Sequence, residues 1–252
     1  MSASASQSVL SDLRAHIARL ERGSPHERTS LPFGLPEIDR FLPGGGLKRG
    51  AFHEILGGTG AGGGAAAVLF AAGIAARSHG KVLWCMARPD LFAPALSQAG
   101  LAAERVVYVE CRDEKSLLAC FEEALRHPGL GAAIGETSRL SMTASRRLQL
   151  AAETSGVIGL AVCRWERKAE AEECRTSSAA VTRWRVSALP SAPLPVPGVG
   201  RPRWHLELIR SRAGESAEFV VESCDEQGRL TLSSDMAHGQ GTPEYGRGRT
   251  SA

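Results

Sequence analysis

The stretch with the most chemical content runs Gly57-Gly58-Thr59-Gly60-Ala61-Gly62-Gly63-Gly64. Phe52, Ile55 and Leu56 before it read as a short buried strand, and the Ala-rich run 65–76 after it reads as a helix with almost no polar face. A strand, a Gly-rich loop and a helix N-terminus make the frame of a phosphate cradle, because backbone N–H groups and the helix dipole converge on an anion. Gly57 and Gly62 take the two glycine positions of G-x-x-x-x-G-K-[ST]. The Lys that would reach the terminal phosphates is Gly63, and the Ser/Thr that would hold magnesium is Gly64. The backbone frame is present without the side chains that do the chemistry.

These losses compound. Removing a charge-assisted contact costs on the order of a few kcal/mol, and affinity falls roughly tenfold for each 1.4 kcal/mol. The six glycines between Gly57 and Gly64 also add unfolded-state entropy, so the loop is expected to be poorly preorganised without a ligand. The expectation is no resident cofactor and no metal, with residual ATP binding at most.

The elements that would position such a loop follow from the rest of the chain. With 252 residues, 43% of them hydrophobic, it can bury a sizeable core in one large domain. A formal charge of +3 does not by itself mark a nucleic-acid binder, which needs a clustered basic face. The six cysteines are widely spaced with no C-x-x-C pairing, which predicts reduced, buried thiols and a cytoplasmic protein. The Ser/Ala-rich start lacks the apolar core of a signal peptide. Val68 to Ala76 is apolar but too short to span a bilayer, so no membrane is expected.

Near the start, Leu13, Ile17 and Leu20 fall on one helical face with Val9 and Leu10. This stripe packs either on its own domain or against a partner. Leu35, Ile38 and Leu42 make a short amphipathic helix, and Gly44-Gly45-Gly46 a turn into the first core strand. Strands and helices then alternate: strands at 81–86, 105–109, 131–135 and 157–163, and helices at 90–98, 115–125 and 141–152. That pattern predicts a mainly parallel sheet covered on both faces. The 131–135 strand is expected to be short and weak. After the polar, mixed-charge segment 164–179, strands at 181–186, 204–209 and 217–222 end the fold antiparallel, with a last strand near 229–232. From Ser233 large apolar residues nearly vanish, which predicts a disordered tail.

The order of Gly34-Leu35, Ile38-Asp39, Leu42, Gly44-Gly45-Gly46-Leu47, Gly50, Glu54 and Gly57 resembles the entry into a RecA-like core. Together with the eroded loop, the Val181-Thr182-Arg183-Trp184-Arg185-Val186 strand and the 204–212 hairpin arm, it resembles the ImuA family of RecA-related accessory proteins of bacterial damage-induced mutagenesis. The resemblance implies an α/β fold: a mainly parallel twisted sheet with helices on both faces and an antiparallel C-terminal extension. Residues 1–28 would be an N-terminal helix and linker, 29–232 the RecA-like domain, and 233–252 the tail. It implies an SOS-response adaptor without catalysis, in translesion synthesis. Its partners would be an ImuB-like Y-family-related polymerase and an error-prone replicative-type polymerase, with RecA and single-stranded DNA as further candidates. A divergent RecA-type ATPase or nucleotide-gated switch is one alternative, and a regulator of RecA or a SulA-like cell-division inhibitor another.

Carried over position by position, the Walker B acid corresponds to Glu136, a residual carboxylate. The catalytic Glu falls near Arg88-Pro89, and the glutamine that senses the γ-phosphate falls near Arg164. For DNA, the 164–179 segment holds four basic and four acidic residues and cancels. The better basic candidates are Arg183, Arg185, Arg203, Arg210 and Arg212. Alternation sets Arg183 and Arg185 opposite Trp184, so the tryptophans are expected in the core and the arginines on a solvated face. Leu13, Ile17 and Leu20 are the candidate partner-docking residues.

Overall fold

The structure, a computed structural model, describes residues 30–58, 62–138, 140–164, 178–192, 194–212 and 215–233. The helix expected around Leu13, Ile17 and Leu20, the tail beyond Ser233, and most of the mixed-charge segment lie outside the described residues.

In chain order the elements are β1 (Ser30–Leu31), α1 (Pro36–Asp39), β2 (Leu47–Lys48), β3 (Ala51–Gly57), α2 (Gly63–Arg77), β4 (Lys81–Met86) and α3 (Ala93–Gln98). There follow β5 (Val106–Glu110), α4 (Glu114–Arg126), β6 (Leu130–Thr137), α5 (Met142–Ser155) and β7 (Ile158–Cys163). The chain then runs antiparallel through β8 (Thr182–Leu189), β9 (Arg203–Ser211), β10 (Ala217–Glu222) and β11 (Thr231–Leu232). Nine of these strands form one sheet in the order β11-β10-β9-β8-β3-β7-β6-β4-β5, and β1 and β2 pair separately. Pairings from β8 through β3, β7, β6 and β4 to β5 are parallel, and those from β8 to β11 are antiparallel.

Two elements depart from expectation. β6 is eight residues long and almost wholly buried, not a short weak strand. Its small residues fit a crowded layer: a Cβ on Gly135 would come within 2.6 Å of the Phe121 ring. The helix expected from Asp90 begins only at Ala93, with Pro94 in its first turn, where a missing N–H costs nothing.

Helices cover both faces. On one, α2 is buried nearly all round, which its alanines allow by bringing backbones close. Phe33, Phe70, Trp184 and Trp204 join there, with Phe33 stacked on Phe70 at 5.7 Å and edge-on to Trp184 at 5.6 Å. The tryptophans are in the core, as alternation predicts. The C-terminus of α2 is held from a distant segment: the Arg105 guanidinium donates to the carbonyls of Ala76 and Ser78, each at 2.7 Å, and of Gly80 at 2.9 Å. That places a cation on orphan carbonyls at the negative end of the dipole. On the other face α4 and α5 bury Leu117, Phe121, Leu125 and Leu148 against Phe52. Each has a side-chain N-cap: Asp113 accepts from Ser116 N at 2.7 Å, and Ser141 from Ala144 N at 3.1 Å. Cys85, Cys111, Cys163 and Cys224 are buried free thiols. Burial pushes Cys85 and Cys224 up to about 12 and Cys111 up to about 11.

Candidate functional site

β3 delivers the glycine loop at the C-terminal ends of the parallel strands, the end of an open α/β sheet where ligands bind. Gly58 N donates to Val186 O at 2.7 Å, anchoring the loop on β8. Thr59, Gly60 and Ala61 lie outside the described residues. Gly62 caps α2 with φ +89°, a left-handed conformation that glycine adopts freely.

Two of the described glycines, Gly58 and Gly63, are needed for close contact, a physical reason that composition did not reveal. A Cβ on Gly58 would lie 2.0 Å from Ser187 Oγ and 2.7 Å from its Cα. A Cβ on Gly63 would lie 2.2 Å from the carbonyl oxygen of Gly58. The two arms of the loop thus touch through backbone, and a lysine at position 63 does not fit this path. Gly64 differs: its Cβ would meet only the Arg164 side chain, at 3.8 Å.

That arginine is the centre of the site. It stands just past β7, and its Nη1 and Nη2 donate to the two carboxylate oxygens of Asp90 at 2.8 and 3.0 Å. Nη1 also donates to Glu136 Oε2 at 2.7 Å. Trp84 Nε1 donates to the other oxygen, Oε1, at 2.8 Å. Both oxygens of Glu136 are therefore engaged by the chain itself, and its side chain is only 8% exposed. Burial alone would depress Arg164, but its bonds to Asp90 and Glu136 outweigh this and hold it above its ordinary value. The Asp90 carboxyl is held below the usual range, chiefly by the Arg164 hydrogen bonds; burial pulls the other way, and the charges of Arg164 and Arg88 add to the lowering.

The four residues come from four places: the interior of β4, the loop after it, the end of β6 and the end of β7. Strand order makes them neighbours, since β4 pairs with β6 and β6 with β7. Glu136, the carboxylate that the resemblance aligns with a Walker B acid, thus faces a tethered guanidinium, and a metal ion bound there would have to displace it. Among the described residues no group of three or more His, Cys, Asp or Glu is arranged to hold a metal. Asp90 and Trp84 are not among the residues the sequence singles out. The signal for Asp90 is its place two residues past Arg88, near where the resemblance puts an acid.

The five candidate arginines have partners within the chain. Arg183 Nε donates to Glu54 Oε2 at 2.5 Å, and Arg185 Nη1 to both oxygens of Glu207 at 3.0 and 3.1 Å. Arg210 donates to the carbonyl of Ala180, and Arg212 to that of Ala179 at 3.2 Å. Burial and the neighbouring charge of Arg183 push Arg210 below its ordinary value. Arg203 sits at the opposite end of β9, donating to Pro190 O at 3.0 Å. The structure thus gathers Arg183, Arg210 and Arg212 at one end of this face, with Glu54, and leaves Arg203 at the other. Among the described residues no helix is long and apolar enough to cross a membrane.

No family model matches the sequence. The crystal structure of the RadB recombinase aligns with 81% of this chain and 100% of its own, with a TM-score of 0.53 at 15% identity. That likeness shows the fold, which is RecA-like. Protein ImuA of Caulobacter vibrioides, in two strains, is 38% identical over 213 residues, 81% of this chain and 87% of its own length. Identity at that level, over four fifths of this chain and most of the relative's length, leaves one assignment: the chain belongs to the ImuA family.

Proposed function

We propose that this chain is a non-catalytic RecA-like adaptor in damage-induced mutagenesis. It supports error-prone translesion synthesis through contacts with an ImuB-like Y-family-related polymerase and an error-prone replicative-type polymerase. The observation that carries the non-catalytic part is the state of Glu136. Its two oxygens are taken by Arg164 and Trp84, while Gly63 lies too close to the Gly58 carbonyl for a lysine. Phosphoryl transfer needs a phosphate-binding cation, a metal and a positioned water together. Here the acid that would bind the metal is neutralised from within. The family assignment supports the adaptor part.

The test is steady-state ATP hydrolysis by the purified chain, alone and with each polymerase. The expected result is no turnover above background and a measurable complex with the Y-family-related partner. Turnover that is abolished by Glu136→Gln overturns the reading.

A nucleotide-gated switch is the second reading. It is favoured by the guanidinium of Arg164 beside Gly64 at the start of α2, a cation near the amides that a phosphate would contact. Calorimetric titration with Mg-ATP separates the two: no heat at high micromolar nucleotide removes the switch.

A further inference from the structure

Of the five described cysteines, two lie apart: Cys163 packs on Leu56, and Cys224 sits against Gly73 of α2. The other three gather in one place from three elements. Cys85 is on β4, Cys111 directly follows β5, and Cys120 is halfway along α4. Cys111 N donates to Met86 O at 2.8 Å, which holds the chain beside the end of β4 as it turns towards α4. Cys85 and Cys111 are buried in the layer that α4 makes with the sheet, and Cys120 packs on that layer from its rim. Cys111 and Cys120 are in thiol–thiol contact. Of the three, Cys120 alone is partly open to solvent. The group is not a metal set, since among the described residues no three such side chains are arranged to hold an ion.

We propose that Cys111 and Cys120 form a peroxide-sensitive dithiol that closes reversibly to a disulfide, tying α4 to the end of β5. Cys120 reacts first, because solvent reaches it. Its thiolate attacks one oxygen of hydrogen peroxide; an S–O bond forms, the O–O bond breaks, and Cys120 sulfenic acid and one water result. The Cys111 sulfur then attacks the Cys120 sulfur. The S–S bond forms, the S–O bond breaks, and the hydroxide leaves with the thiol proton as a second water. Two thiols lose one hydrogen each, and one peroxide becomes two waters. Burial pushes Cys111 up to about 11, so little of it is thiolate at neutral pH. Contact between the two sulfurs offsets this by raising their effective concentration. Cys85 is fully enclosed, which keeps the oxidant from it and leaves it reduced.

Peptide mapping of the full-length chain tests this. The protein is treated with millimolar hydrogen peroxide, alkylated, and digested with trypsin without reductant. Cleavage after Arg112 and Lys115 puts the two cysteines on separate peptides, 106–112 and 116–126. The expected result is a cross-link between these two peptides as the dominant disulfide, lost on treatment with dithiothreitol. In Cys111→Ser, Cys120 has no thiol to condense with and is expected to gain two oxygens as sulfinic acid. The wild-type map needs no variant, so a variant that folds poorly does not decide the matter. Cys111 and Cys120 both alkylated as free thiols after peroxide overturn the proposal. So does Cys120 cross-linked chiefly to another cysteine, or as much sulfinic acid at Cys120 in the wild type as in Cys111→Ser.

Discussion

Two of the arginine–carboxylate clusters in this molecule put the same chemistry to two ends. In one, Glu54 on β3 and Arg183 on β8 are direct partners across a parallel pair. Both are nearly enclosed, with side chains 2% and 12% exposed. Arg185 and Glu207, then His205 and Glu218, continue the pairing across the sheet face. These pairs join strands that already lie side by side. In the other, Arg164 draws together Glu136 and Asp90, neither of which is its register partner, and Asp90 is 46% exposed. That cluster lies at the strand ends beside Gly64, at the candidate site. The lesson is that an ion pair between in-register strand neighbours stitches a sheet, whereas one assembled at the strand ends fills a site.

The comparison breaks first at Glu54. Removing one partner of an enclosed pair leaves an uncompensated charge. Glu54→Gln is expected to lower unfolding free energy by about 4 kcal/mol, read by urea denaturation. A paired Glu54→Leu, Arg183→Leu variant should recover most of it, since apolar replacement of a buried pair is often neutral.

The next effect lies on the other face of the same strand. His53 is fully buried, and Nε2 must carry the proton because it meets the Lys48 carbonyl at 2.9 Å. Nδ1 therefore accepts from Thr182 Oγ1 at 2.8 Å, and Thr182 accepts from Trp184 Nε1 at 3.0 Å. Burial pushes this imidazole down to about 4. The unfolded chain takes up the proton near 6.5 and the folded chain resists, so the contribution is full above about pH 6.5 and is lost as pH falls towards 4. The loss is worth about 3 kcal/mol. Stability measured against pH should show it, and a His53→Gln variant should lack that part of the slope.

At the loop, Gly63→Ala is expected to cost about 2 kcal/mol, because the new methyl overlaps the Gly58 carbonyl. Gly64→Ala meets only ordinary contact and should be neutral or stabilising by up to about 1 kcal/mol through helix propensity. Thermal denaturation of the two side by side checks the sign. The smallest effects compare the clusters directly. Arg164→Gln should cost about 1–2 kcal/mol, given its partly solvated partner, and Arg185→Ala no more than about 1 kcal/mol. If Arg164→Gln also gains magnesium binding by titration, the tethered guanidinium is the group excluding it.

Much of the architecture was legible because it rests on local patterns. The strand at 217–222 and the helix at 115–125 were located to within a residue at each end, since apolar spacing and turn residues mark them. β6 was underestimated because Leu130, Glu136 and Thr137 extend it past the small apolar run that signals it. Its strand character comes from its position between β4 and β7. At the candidate site the missing lysine and Ser/Thr were plain in the loop, and Glu136 was placed at the end of its strand. Asp90 was not found, because a carboxylate in a loop carries no mark of the arginine it will meet 74 positions later.

The sequence by itself determined the alternation of strands and helices, the glycine frame and the presence of glycine at positions 63 and 64, for these depend on residues within a turn or two of one another. Only the tertiary structure decided that Gly63 must be glycine, that Arg164 neutralises Glu136, and that Arg183 and Arg185 are matched by acids. Each of those depends on which strands lie side by side, and strand order is set by the packing of the whole sheet, which no local pattern encodes.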